Sequence, residues 1–204
     1  MKRWVLVFLL VMLGYIEVFA QSDLEIYKDI IVPGSGVAEI TIGTPSETVF
    51  SILGKKPVRR STFEEEKQTL LSRKLNPKNE LVFFLGFDYV VEYASYANRT
   101  YYPIYTIYFK DEKVVYMILS SYGYDQEKCK NFGISSTFFF GDGREKMQTT
   151  LGRSYISTTS LSKDLLFDYF SKGISIFMTK NQVRTMYIYA PLDKRTQRKF
   201  LAGR

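Results

Sequence analysis

The sequence predicts an α+β protein: two tandem repeats, each a short helix or helix pair packed on an antiparallel sheet. One continuous sheet shared by both units is the arrangement that removes edges. Three observations predict this. The chain is rich in strand-favouring aromatics, with 16 Tyr and 16 Phe against one Trp in 204 residues. The stretch ITIGTPSETVFSILGK (residues 40–55) has an echo in FFFGDGREKMQTTLGR (138–153). Each of these is followed later by a hairpin-like segment, YTIYFKDEKVVYMIL (105–119) and ISIFMTKNQVRTMYIY (174–189).

The first echo reads as strand, capped helix and glycine exit. Ile40 and Ile42 alternate with Glu39 and Thr41, a strand pattern that Gly43 breaks. Thr44 is the expected N-cap, Pro45 suits the first helical position, and Glu47 completes a capping box. Val49, Phe50, Ile52 and Leu53 give an apolar face; Gly54 stops the helix and Pro57 forbids its continuation. In the second copy Phe138 to Phe140 are the strand, Asp142 the N-cap and Glu145 its partner. Met147, Thr150 and Leu151 form the stripe, and Gly152 is the stop. Gly43 to Gly54 and Gly141 to Gly152 are both 11 positions apart.

The hairpins extend the correspondence, with turns expected at Asp111-Glu112 and near Lys180-Asn181. Ile107 then matches Ile176, Val114 matches Val183 and Met117 matches Met186. The offset between copies is 98 at the helix and 69 at the hairpin, so the first copy carries about 29 extra residues. Within that interval STFEEEKQTLLSRKL (61–75) predicts a second, charged helix. LVFFLGFDYVVEYASY (81–96) predicts a strand with a bulge at Gly86, and LLFDYF (165–170) its counterpart. The organisation follows: a signal peptide over 1–20, a first unit over 21–124 with an insertion near 56–80, a second unit over 125–192 and a basic tail over 193–204.

MKRWVLVFLLVMLGYIEVFAQS reads as a secretory leader. Lys2 and Arg3 precede an apolar run from Trp4 to Ile16 that is short for a membrane span, and Val18-Phe19-Ala20 suits cleavage before Gln21. No cysteine follows the run, so a lipoprotein anchor is not expected; a periplasmic or secreted protein is. An uncleaved anchor is the alternative. The formal charge is +7 and falls to +6 without the leader, which suits solubility, an acidic partner or an anionic membrane surface. Basic residues are dispersed and no nucleic-acid module is present.

Two scarcities exclude function classes. With no His and a single Cys, Cys129, the chain has no His-dependent nucleophile system, no usual zinc site and no internal disulfide. Cys129 is a free thiol, an intermolecular bridge or an unremarkable residue. Ser and Lys are plentiful, but no spacing singles out a dyad, and no enzyme, metal or cofactor is expected. Gly141-Asp142-Gly143 lacks the lysine and spacing of a phosphate loop. Glu64-Glu65-Glu66 point in different directions on a helix and read as a solvated first turn rather than a cation site. Asn98-Arg99-Thr100 is formally a glycosylation sequon, relevant only in a eukaryotic setting.

Two-residue turns in both hairpins sort the side chains into faces. Tyr105, Ile107, Phe109, Val114, Tyr116 and Ile118 share one with Ile174, Ile176, Met178, Val183, Thr185 and Tyr187, almost wholly apolar and so expected to face the helices. The other carries Tyr108, Lys110, Met117, Phe177, Arg184 and Met186, with Thr106, Val115, Ser175 and Thr179 beside them. Exposed Tyr, Phe, Met and Arg favour protein interfaces, so this face is the candidate partner-binding surface; an ordinary amphipathic face partly covered by another segment is the alternative. A one-residue slip would exchange the faces. The tyrosine-dense YASYANRTYYPIY (93–105) offers Tyr96, Tyr101 and Tyr102 as a recognition loop, or a hairpin whose tyrosines cover a sheet edge. The tail, with Lys194, Arg195, Arg198, Lys199 and Arg204, suits weak contact with anionic headgroups or a frayed terminus.

The motif set Ile42-Gly43-Thr44-Pro45, Val49, Leu53-Gly54 and Pro57, repeated as Phe140-Gly141-Asp142, Met147 and Leu151-Gly152, resembles the periplasmic SmpA/OmlA (BamE) type of small lipoprotein domain. In tandem it resembles the β-lactamase inhibitor protein fold. The resemblance covers about half of the chain after the leader. It implies a helix pair on an antiparallel sheet, no enzymatic activity, and a role as an envelope adaptor or as an inhibitor capturing a protein on a concave sheet. The chain departs from the lipoproteins in lacking the anchoring cysteine and in having two units, and from the inhibitor in lacking its disulfides. A second function class, a carrier or sensor of an apolar, lipid-like ligand held between helices and sheet, is also open.

Overall fold

The computed structural model describes residues 30–54, 56–97, 100–121, 133–134, 138–159 and 164–203. The leader, Cys129 and the Asn98-Arg99 part of the sequon lie outside the described residues. The fold is α+β, as expected, with five α-helices among the described residues. Eight antiparallel strands form one sheet in the order β10-β11-β12-β13-β7-β6-β5-β4. They are β4 (Arg59–Thr62), β5 (Tyr89–Ala97), β6 (Thr100–Lys110), β7 (Lys113–Ser120), β10 (Ile156–Thr159), β11 (Leu165–Tyr169), β12 (Ile174–Thr179) and β13 (Gln182–Tyr189). Read from either edge, four strands in chain order run to the centre, where β7 pairs with β13. A small second sheet joins β1 (Ile30–Val32), β2 (Gly36–Val37), β3 (Ile40–Thr41), β8 (Gly133–Ile134) and β9 (Phe138–Phe139), with β1 and β8 parallel and the other pairs antiparallel.

Two apolar clusters lie on opposite faces of the large sheet. The inner cluster takes Ile107, Phe109, Met117, Ile176 and Met186 from the sheet. Over them lie Val49 of α1 (Ser46–Leu53), Met147 and Leu151 of α4 (Arg144–Leu151), and Ile31 and Phe138 of the small sheet. The outer cluster takes Val90, Tyr108, Tyr116 and Tyr189. It is covered by Phe63 of α2 (Phe63–Ser72), Leu81 and Val82 of α3 (Leu81–Leu85), and Phe200 of α5 (Lys194–Ala202).

The echoed stretches make equivalent contacts. Gly43 donates to the Val114 carbonyl at 2.8 Å and Gly141 to that of Val183 at 3.0 Å. Val114 returns a bond to Thr44 and Val183 to Asp142, both at 3.0 Å. The hydroxyl of Tyr93 donates to the carbonyl of Gly54 at 2.7 Å, and that of Tyr169 to Gly152 at 2.9 Å. Those carbonyls belong to the glycines that end α1 and α4 with φ of 93° and 86°, a backbone that would strain any side chain. The two hairpin turns, Asp111-Glu112 and Lys180-Asn181, have positive φ at both residues, the geometry that matches strand twist in two-residue turns.

The structure corrects several local expectations. Thr44 does not cap α1: Pro45 holds the cap position with no side-chain bond, and Thr44 Oγ1 instead accepts from Thr41 N–H at 2.9 Å. Asp142 likewise accepts from Phe139 N–H at 2.7 Å, and Gly143 caps α4. Both side chains close the turn before the helix rather than the helix itself. The first helical N–H, that of Ser46, is satisfied by the Glu112 carbonyl of the hairpin turn at 2.8 Å. Residues 81–85 are helical, not a strand; the apolar run LVFFL fits either state, and Gly86 closes the last helical turn by donating to the Val82 carbonyl at 3.0 Å. The tail is not frayed: Asp193 caps α5 by accepting from Thr196 N–H at 2.8 Å, and Phe200 is buried.

Candidate functional site

The expected partner-binding face does not form as one open surface. In the β6–β7 hairpin Tyr108 pairs with Tyr116 but Phe109 pairs with Val114, so Val115 is an extra residue. In the β12–β13 hairpin Phe177 pairs with Thr185 but Met178 with Val183, so Arg184 is extra. Each bulge reverses the alternation beyond it. Met117 and Met186, expected outside, are wholly buried in the inner cluster. Tyr116, Ile118 and Tyr187, expected inside, join the outer one, and Thr185, expected inside, pairs with the outward Phe177. The remaining expected residues keep their side of the sheet but differ in what lies above them.

Around Tyr108 the outer face is closed. Tyr108 is only 8% exposed, packed edge-on against Phe87 with centroids 4.9 Å apart and against Tyr116 at 5.6 Å. Burial pushes the hydroxyls of Tyr108 and Tyr116 far above the usual tyrosine range, with nearby charges adding less. Tyr108 therefore cannot meet a partner directly. Lys110 is exposed at the strand end, 3.5 Å from the Leu85 carbonyl. Around Phe177 the same face is half-open. Phe177, Tyr187, Arg184 and Ile118 are half-buried, and neither apolar cluster takes in Phe177 or Leu166. Thr185 and Ser175 add buried hydroxyls among them, and Ser175 shares a 2.8 Å bond with the Tyr189 hydroxyl.

Tyr96, Tyr101 and Tyr102 lie in the β5–β6 ladder, where Tyr96 pairs with Tyr101 and Ser95 with Tyr102. The expected loop is thus a long hairpin; the side chains of these three lie outside the described part. The glutamates at 64–66 are spent locally. Glu64 pairs with Lys67 at 3.3 Å, Glu65 closes a capping box with Thr62, and Glu66 accepts from Arg59 and Ser61. Arg59 also meets Glu92 at 2.9 Å, so a charged network guards the β4 edge of the sheet. No group of three metal-ligating side chains occurs among the described residues.

Two features escaped the sequence reading. Ser46, Tyr89 and Glu112 meet in space: Ser46 Oγ donates to Glu112 Oε2 at 2.5 Å and the Tyr89 hydroxyl to the same oxygen at 2.8 Å. Those bonds hold the Glu112 carboxyl below its usual range, the Ser46 bond foremost. The cluster ties a hairpin turn to the start of α1. The second feature is a groove of about 360 Å³ on the outer side, between α2, α3 and α5. Phe63, Phe83, Phe84 and Phe200 form its walls, and Phe84 is 39% exposed. Only the apolar character of LVFFL and of Phe200 hinted at it.

No helix among the described residues is long and apolar enough to cross a membrane. Comparison of the chain with family models, with curated proteins and with solved structures gives no match.

Proposed function

We propose that the chain is an exported, non-enzymatic binding protein, an adaptor or inhibitor-like molecule of the bacterial envelope. It would capture a protein partner on the half-open part of its outer sheet face. The observation that carries this reading is the contrast at one sheet position. Phe177 stands half-buried beside the bulge residue Arg184, Tyr187 and Ile118, whereas Tyr108, at the equivalent place in the β6–β7 hairpin, is closed over. Aromatic and arginine side chains are enriched in protein interfaces and among their hot spots.

We further infer that the chain is two copies of one helix–sheet unit, akin in type to the SmpA/OmlA domains and, in tandem, to the β-lactamase inhibitor protein. Support comes from the paired contacts of Gly43 and Gly141, of Tyr93 and Tyr169, and from bulges 69 residues apart. The leader pattern supports export to the periplasm or beyond.

Photocrosslinking in the native envelope tests the partner surface. Probes replace Phe177 and Arg184, with a control at the exposed Glu145 on the opposite side of the sheet. A discrete protein adduct from the first two positions alone is expected and names the partner. Adducts from all three, or from none, would remove the sheet face from consideration.

A further inference from the structure

We propose that the phenylalanine groove is a binding site for one long-chain carboxylate, a single-chain anionic amphiphile of the fatty-acid type. It is independent of the sheet face and is carried by different residues. The groove's walls are phenyl rings, which form a continuous aromatic path into the outer cluster. Phe84 meets Phe200 at 5.3 Å between centroids, and Phe63 meets Phe83 at 5.1 Å. Such a surface offers an alkyl chain apolar contact and offers a polar ligand nothing inside. The volume, about 360 Å³, lies at the lower end of the range for small-ligand sites.

The rim supplies the charge. Lys67, Lys78 and Lys199 all line the groove, one from α2, one from the 77–79 turn and one from α5. Lys67 shares its ammonium with Glu64 at 3.3 Å; Lys78 and Lys199 are exposed. Three ammonium groups around an apolar trench complement a carboxylate at the head of an alkyl chain. They oppose a cationic headgroup of equal chain length. The trench is concave and walled by three separate elements, which suits one monomeric chain rather than a flat array of headgroups.

The chain length matters in a graded way. A fully buried methylene is worth about fourfold in affinity, and less in a groove open on one side. Octanoate should therefore bind at least tenfold more weakly than dodecanoate.

Isothermal titration of the full mature chain with dodecanoate, below its micelle threshold, tests the proposal. Saturable binding with one site per chain is expected, with no binding of dodecyltrimethylammonium. The double variant Lys78→Glu/Lys199→Glu alters exposed residues and should fold normally by circular dichroism. It should bind dodecanoate at least tenfold more weakly. A second variant, Phe84→Asp, should lose binding while keeping the fold. Equal binding of both headgroups, or binding indifferent to these variants, would overturn the site. So would an absence of monomer binding with capture of anionic phospholipid vesicles alone, which would make α5 a membrane contact instead. Because no probe position in the crosslinking experiment lies in the groove, either proposal can fail alone.

Discussion

Tyr108 and Phe177 occupy the same position in two hairpins, one residue before a bulge on the partner strand, and on the same face of one sheet. Tyr108 is sealed and Phe177 is half-open. The sheet does not explain the difference; what lies above it does. Residues 63–85 carry α2 and α3 over the sheet, and α5 sets Phe200 beside Phe84 and Phe170. One sheet face is thus core around Tyr108 and half-open around Phe177. The same covering elements form the groove, whose lining includes no residue of the sheet.

The most direct way to break that contrast is to lift the cover. Phe200 is 1% exposed, and its ring meets Phe84 and Phe170 with centroids within 6 Å. Phe200→Ala should cost about 3–5 kcal/mol in urea denaturation, the range for a buried aromatic. It should also speed hydrogen exchange in α3 and around Phe170, whose rings pack on Phe200, while leaving α4 on the opposite face unchanged. A cost below about 1 kcal/mol would mean that α5 rests on the sheet without sealing it.

The bulges provide the next test. Met186→Ala should cost about 2–5 kcal/mol, because its side chain is wholly buried in the inner cluster. Phe177→Ala should cost about 1 kcal/mol or less, since that ring is half-open. Unbulged hairpins would place Met186 beside Phe177 on the outer face, and the costs would converge. Urea midpoints of the two variants measure this.

Those bulges also mark where the sequence stopped being legible. The hairpin turns, the glycine stops and the charged helix could be read, because each rests on local chemistry: a turn pair, a helix exit, a charged helix-forming run; the fold class followed from them. The face assignment failed beyond Val115 and Arg184 because both sides of these strands are apolar. Tyr116 and Ile118 look as buriable as Met117 and Leu119, so alternation carried no sign. The caps at Thr44 and Asp142 were misread because a hairpin far along the chain satisfies the helix start, and nothing local records that. The groove needed three separate segments, and only the fold brings them together.

The smallest effect tests the likeness between units rather than their difference. Tyr93 and Tyr169 each lock a helix exit by donating to a glycine carbonyl, and burial pushes each hydroxyl up to about 12 from an ordinary 10. Tyr93→Phe and Tyr169→Phe should each cost about 1 kcal/mol, the net worth of one hydrogen bond. The pH dependence has a definite sign. A raised folded value means the neutral phenol is favoured in the folded chain, so this stability is whole below pH 10 and is lost as pH rises through about 12. The double variant should therefore lose less stability than the parent across that window, measured by thermal unfolding. Two copies of one unit require matched single-variant costs. A cost confined to one tyrosine would show that only one helix exit is locked this way, and the correspondence between the units would be geometric without being energetic.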